Sequence, residues 1–191
     1  MAEVKEKSFR LVVLGDYSVG KSSITLQYVK NEFNPNEEST IGAAFLTKTV
    51  LFKENYVKFE IWDTAGQERY NSLIPMYYRG AQAALIVFDV TSMRSFLKAQ
   101  SWLQELATEK PKNFLKILVG NKIDLEQREV SFEEGDSLAK QNGISYFETS
   151  AKTGENIDNV FFNLCSLAPT IFLDDKPEVI SLKSRGGFGC C

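Results

Sequence analysis

The sequence predicts an α/β protein: a six-stranded, mostly parallel sheet with helices on both faces and one antiparallel hairpin. Three observations carry that expectation. Apolar runs of strand length alternate along the chain with stretches of helical apolar spacing. Two adjacent β-rich runs, Ala43 to Phe52 and Tyr56 to Trp62, are parted only by Lys53-Glu54-Asn55, the mark of a hairpin. The pattern G-x-x-x-x-G-K-[ST], present as Gly15-Asp16-Tyr17-Ser18-Val19-Gly20-Lys21-Ser22, requires a strand before it and a helix after it, and has both.

The first strand is Phe9-Arg10-Leu11-Val12-Val13-Leu14, and the helix that follows the loop is Ser23 to Val29. Consecutive backbone N–H groups at a helix start offer donors and a favourable dipole to a polyphosphate. The candidate cradle runs through Asp16, Ser18, Val19, Gly20, Lys21, Ser22 and Ser23, with Gly15 and Gly20 letting the backbone wrap close. Lys21 can set an ammonium between the β and γ phosphates, and the Ser22 hydroxyl can ligate Mg²⁺. Alone, the loop also fits a plain strand-to-helix turn, so its partners decide between ATP and GTP.

Asn31 to Thr40 is a polar loop with Pro35 and no periodicity, built to move. The second hairpin strand runs into Asp63-Thr64-Ala65-Gly66-Gln67-Glu68. At a strand end near the first loop, Asp63 can hold Mg²⁺ directly or through water, and Gly66 allows a backbone N–H to approach a terminal phosphate. Gln67 carries both a donor and an acceptor, which suits it to orient an attacking water. An acidic helix cap with a glycine turn is the plainer reading, and coincidence with the first loop weighs against it.

Leu85 to Val90 is a continuous apolar strand followed by a helix near Ser95 to Glu109, and Leu115 to Gly120 is another strand ending in Asn121-Lys122-Ile123-Asp124. Ligands of open α/β sheets sit at such strand ends. Asp124 offers two acceptor oxygens that match the N1–H and N2–H₂ donors of guanine, a pair adenine lacks. Asn121 can fix the loop, and the Lys122 stem can lie over the base. Phe132 to Asn142 is a helix, Ile144 to Thr149 a short strand, and Glu155 to Ala168 a last helix. Between the last two lies Ser150-Ala151-Lys152, where the Ala151 N–H can donate to guanine O6 and Lys152 can steady the loop, or where a helix-cap turn simply ends the strand.

A 43% hydrophobic, 25% charged composition with net charge −3 is ordinary globular chemistry and gives no sign of nucleic-acid binding. Without histidine, Ser-His and Cys-His nucleophilic machinery is excluded, so catalysis rests on positioning, charge and metal. Three cysteines make no disulfide framework and point to a reducing compartment, and no run is long enough to span a bilayer. The expected organisation is a flexible N-terminus over 1–7, one domain over 8–168, and a disordered tail over 169–191.

These motifs, in this order, resemble the Ras-superfamily small GTPases over residues 8–168. Ser39-Thr40-Ile41-Gly42, the stretch Trp62 to Tyr70, Tyr77-Tyr78-Arg79-Gly80-Ala81 and terminal Cys190-Cys191 resemble the Rab branch. Ala43-Ala44-Phe45-Leu46-Thr47 and Ser72 to Tyr77 resemble its Rab-five type, associated with early endosomes and endocytic fusion. The resemblance implies the P-loop fold of small G proteins and a GTP-hydrolysing switch, slow without an activating protein. Thr40 would bind Mg²⁺ and the γ-phosphate in switch I, alongside the metal ligands Ser22 and Asp63, and residues from about Gly66 to Tyr78 would form switch II. Phe33 would pack on guanine beside Asn121, Lys122, Asp124, Ser150, Ala151 and Lys152. Ile41, Phe45, Trp62 and Tyr77 would meet effectors.

Further implied partners are an exchange factor, an activating protein, an escort protein or GDP dissociation inhibitor, and a membrane, reached through geranylgeranyl groups on Cys190 and Cys191. The implied location is the cytoplasmic face of endosomal membranes, with a cytosolic pool. In the tail, Lys176, Lys183 and Arg185 cancel Asp174, Asp175 and Glu178, so the lipid would dominate attachment. Three other readings stay open: a GTP-locked membrane scaffold that scarcely turns over, favoured by bulky Tyr17 obstructing activator-assisted hydrolysis; a Rab acting at a non-endosomal compartment; and an ATPase or kinase.

Overall fold

Alternation within the first strand decides how the sheet is packed. The protein is described by a computed structural model over residues 6–111 and 113–172. Strand β1 (Glu6–Gly15) sends Leu11 and Val13 to one face and Val12 and Leu14 to the other, and all four are fully buried. Only a central strand covered on both sides can be apolar at every position.

The other strands are β2 (Ala43–Phe52), β3 (Asn55–Thr64), β4 (Ala83–Asp89), β5 (Leu115–Asn121) and β6 (Ser145–Thr149). They lie in the order β2-β3-β1-β4-β5-β6. All neighbouring pairs are parallel except β2 with β3, as the hairpin signal required. Helices α1 (Lys21–Lys30) and α5 (Ile157–Phe172) cover the Leu11 face, where Tyr28 stacks on Phe161 at 3.4 Å between ring centroids. Helices α2 (Ile74–Arg79), α3 (Met93–Glu109) and α4 (Phe132–Asn142) cover the opposite face through Tyr78, Leu103 and Ala139. Strand order reverses at β1, so the carboxyl ends of β1, β3, β4 and β5 converge where such sheets bind ligands.

Several boundaries differ from expectation. Strand β1 begins at Glu6, ahead of Phe9, because Glu6, Lys7 and Ser8 continue the parallel register with Tyr56, Val57 and Lys58. The hairpin turn has two residues, since Asn55 already pairs with Phe52 and Lys53 and Glu54 both take positive φ, 44° and 65°. Residues 68–79 form a 3₁₀ turn (Glu68–Leu73) and α2, with Pro75 in the first turn, where its missing N–H is tolerated. Helix α5 passes Pro169 and reaches Phe172, four residues beyond the expected Ala168. Residues 1–5 of the expected N-terminal arm and 173–191 of the tail, with Cys190 and Cys191, lie outside the described residues.

Helix α4 starts with a reciprocal cap: Ser131 Oγ accepts the Glu134 N–H at 3.3 Å, and Glu134 Oε2 accepts the Ser131 N–H at 2.8 Å. Donation to that carboxylate from the Ser131 N–H and, at 2.8 Å, from the Ser131 hydroxyl that Ala would lack holds the Glu134 carboxyl below its ordinary value near 4.5. A depressed folded pKa contributes stability above the unfolded value that is lost as pH falls through the folded one. Ser131→Ala is therefore expected to lower urea stability at neutral pH. Its deficit relative to the parent should shrink in acid, which parallel denaturation curves across pH will check.

Candidate nucleotide site

The loop between β1 and α1 is shaped by what surrounds its glycines. Gly15 has φ 149° and Gly20 φ 95°, and a Cβ at either would strike the Val87 carbonyl or the Asn121 amide respectively. Helix α1 thus begins at a left-handed Gly20, and no side chain caps its first turn. Its free N–H groups face the cleft, the arrangement that receives a phosphate. Lys21 is buried and bends back over the loop, its Nζ donating to the Gly15 and Asp16 carbonyls at 3.1 and 2.8 Å. Burial pushes its pKa down to about 8, while Asp63 and Asp16 pull the other way. Gly66 closes on the same point, since a Cβ there would strike the Asp16 carbonyl and lie 2.5 Å from Lys21 Nζ.

Beside Lys21, three oxygens from three segments meet. Ser22 Oγ donates to Asp63 Oδ2 at 2.6 Å, the Ser22 and Thr40 hydroxyls lie 2.8 Å apart, and Thr40 Oγ1 donates to Asp63 Oδ2 at 3.3 Å. The other Asp63 oxygen, Oδ1, is buried with no partner. Burial raises the Asp63 pKa, against the Ser22 bond, the Lys21 charge and the Thr40 bond, which lower it, while Glu37 adds to the rise. An orphaned carboxylate oxygen with two hydroxyls fits Mg²⁺. Ligands about 2.1 Å from such an ion sit about 2.9 Å apart, close to the spacings found. Among the described residues no group of three His, Cys, Asp or Glu could hold a metal, so the set is partial, as suits an ion whose shell phosphates and water complete.

At the other end, Asn121 is buried at the end of β5 with both the nitrogen and the oxygen of its amide engaged. Its Nδ2 donates to the Val19 carbonyl at 2.9 Å, and its Oδ1 accepts from Thr149 Oγ1 at 3.1 Å and the Ala151 N–H at 3.2 Å. The Ala151 N–H, expected to be free for a base, is thus directed at Asn121, because a buried donor takes the acceptor within reach. Lys122 takes φ 70° and its Nζ pairs with Asp89 Oδ2 at 2.7 Å. Asp124 Oδ1 accepts from the Ser150 hydroxyl at 2.7 Å, and Ser150 Oγ accepts the Thr153 N–H at 3.1 Å. Phe33, Asp124 and Lys152 line one continuous cleft of about 410 Å³ with Lys21, Thr40 and Gln67.

The Ras family model matches residues 10–169 of this chain. Ras-related protein RABF2b of Arabidopsis thaliana is 47% identical over 188 residues, covering 97% of this chain and 94% of that protein. The chain is a Rab-type small GTPase of the Ras family. The α/β architecture is accordingly the P-loop fold of small G proteins, and the activity is GTP hydrolysis.

Outside the cleft of this Rab, three aromatics form one surface. Phe45 and Trp62 are paired across the β2–β3 ladder with ring centroids 4.9 Å apart, and Trp62 meets Tyr77 of α2 at 5.3 Å. Phe45 is half-exposed and Ile41, at 79%, projects almost wholly into solvent. Two residues that brace the cleft from behind its lining were not singled out from the sequence. Asp89 is one: its Oδ1 accepts from the Thr91 N–H and hydroxyl at 2.9 and 2.7 Å, which aims Oδ2 at Lys122. The available signal was an acid closing an otherwise apolar strand. Arg94 is another, on α3 within 3.5 Å of Asp16 and 4.0 Å of Glu68, a long-range juxtaposition that no local pattern encodes.

Asn121→Ala would strand the Val19 carbonyl, the Thr149 hydroxyl and the Ala151 N–H in a buried site. Each stranded group costs about 1–3 kcal/mol. The variant is expected to lose at least about 2 kcal/mol of stability and to hold guanine nucleotide far more weakly, measurable by urea denaturation and nucleotide retention.

Proposed function

We propose that this Rab is a GTP-dependent switch in endosomal membrane traffic that recruits effectors in its GTP state. Support for the switch comes chiefly from Thr40: its hydroxyl reaches from the polar 31–42 loop into the oxygens of Ser22 and Asp63. A loop anchored at the phosphate and metal position orders when that position is filled and loosens when the γ-phosphate leaves.

In this reading Asp124 accepts from the guanine N1–H and N2–H₂, Phe33 and the Lys122 stem flank the base, and the Ala151 N–H gives up its bond to Asn121 Oδ1 for guanine O6. Asn121 holds Val19 of the phosphate loop, and the Ser150 hydroxyl holds Asp124. The N–H groups from Asp16 to Ser23 and the Lys21 ammonium hold the phosphates, and the bound anion favours the charged form of Lys21 against the burial that lowers its pKa. Ser22, Thr40 and Asp63 hold Mg²⁺, which when bound neutralises phosphate charge. Gln67 orients a water whose oxygen bonds the γ-phosphorus in line as the bridging P–O bond breaks, giving GDP and inorganic phosphate. The Gly66 N–H tracks the γ-phosphate. Among the described residues lining the cleft none is arginine, which supports slow intrinsic turnover, on the order of 10⁻⁴ to 10⁻³ s⁻¹ until an activating protein acts.

Ile41, Phe45, Trp62 and Tyr77 supply the effector surface because Ile41 and Tyr77 sit at the edges of the two switch segments and move with them. Geranylgeranyl groups on Cys190 and Cys191 attach the protein to the membrane, and an escort protein or GDP dissociation inhibitor shields them in the cytosolic pool. The Rab-five-like residues 43–47 and 72–77 support the endosomal assignment. A second reading, a long-lived GTP-bound scaffold, is favoured by half-exposed Tyr17 at the cleft.

Two experiments check this function. Asp124→Asn is expected to shift binding from guanine toward xanthine nucleotide in competition, whereas unchanged guanine preference would sink the base assignment. In single-turnover phosphate release, Gln67→Leu should slow intrinsic hydrolysis at least about tenfold. Parent protein that a competent Rab activator cannot accelerate, and that Tyr17→Ser frees, would establish the scaffold instead.

A further inference from the structure

Tyr17 is a large residue in a loop of small ones, and its backbone is held. Its N–H donates to Asp16 Oδ1 at 2.9 Å, while the second oxygen of that carboxylate lies 3.5 Å from the Arg94 guanidinium on α3. From this anchor the 55%-exposed side chain lies along the cleft beside Ser39 and Thr40, and its hydroxyl accepts from Ser39 Oγ at 3.3 Å. Residues 32–39 are all exposed. Among the described residues, the side-chain hydrogen bonds tying 32–40 to the rest of the chain are that of Ser39 to Tyr17 and those of Thr40 to Ser22 and Asp63. The Thr40 bonds share their oxygens with the candidate metal position. The Ser39 bond does not, so it can hold the loop whatever the nucleotide state.

We propose that Tyr17 is a positioning residue that straps the 31–42 loop across the phosphate end of the cleft and thereby slows release of bound nucleotide. The inference rests on the cleft being the guanine-nucleotide site. Nucleotide leaves the phosphate end only after this loop swings outward, so each tie to the loop contributes to the barrier. One neutral hydrogen bond between accessible groups is modest, which places the expected effect at a few-fold.

The test uses the full chain loaded with a fluorescent GDP analogue in Mg²⁺ and chased with excess GDP. Tyr17→Phe and Ser39→Ala should each raise the dissociation rate by about two- to tenfold. The double variant should be no faster than either single, and Ser39→Thr, which keeps a hydroxyl, should release near the parent rate. A purely structural role for either side chain would predict neither that non-additivity nor the rescue. Parent rates in Tyr17→Phe, or independent multiplying effects, would overturn the strap while leaving the nucleotide site intact. Parent protein that retains no guanine nucleotide would overturn the site reading and the strap with it.

Discussion

One buried amide holds the two ends of the cleft in register. Asn121 ends β5, but its hydrogen bonds go to Val19 in the phosphate loop, to Thr149 at the end of β6, and to Ala151 beyond it. Gly20 must be glycine because that same amide occupies the space a Cβ would need. The positions offered to a base and to its phosphates are therefore not independent. Parallel strand pairing brings the carboxyl ends together, and a single side chain then fixes their spacing to hydrogen-bond precision.

The phosphate end is poised rather than relaxed. Lys21 and Asp63 are both buried, and burial works against the charge on each, lowering one pKa and raising the other. Each is only partly compensated by the other and by nearby hydroxyls. A polyanion supplies what Lys21 lacks and a divalent cation what Asp63 Oδ1 lacks, so ligand binding and relief of these desolvated groups are the same event. Thr40 shares those oxygens, and the 31–42 loop that carries it runs through Ile41 into β2, where Phe45 joins Trp62 and Tyr77 in one aromatic surface.

Much of this was legible in the chain. Alternating strand and helix periods gave the layered sheet, and the hairpin gave its one antiparallel pair, because burial on one or both faces leaves a direct imprint on residue pattern. The phosphate loop, Asp63, Asn121 and Asp124 could be found because each sits at or just beyond a strand's carboxyl end, where backbone geometry restricts the chemistry, whereas Thr40 came from the family resemblance alone. Residues 68–79 were harder: a six-residue helix with its 3₁₀ turn is too short for periodicity to register. The last helix read as ending at Ala168, yet α5 continues past Pro169 to Phe172.

By itself the sequence determined the element order, the family, and which residue types are available at each strand end, since these follow from local pattern and spacing. Tertiary structure alone decided what those residues touch. Asp89 aims at Lys122, Arg94 at Asp16, Tyr17 at Ser39, and Ala151 at Asn121 in place of open space. None of these pairings has a periodic signature, because each joins segments whose separation is set by sheet order and helix packing. Hydrogen bonds depend on tenths of an ångström in positions that only the assembled sheet defines.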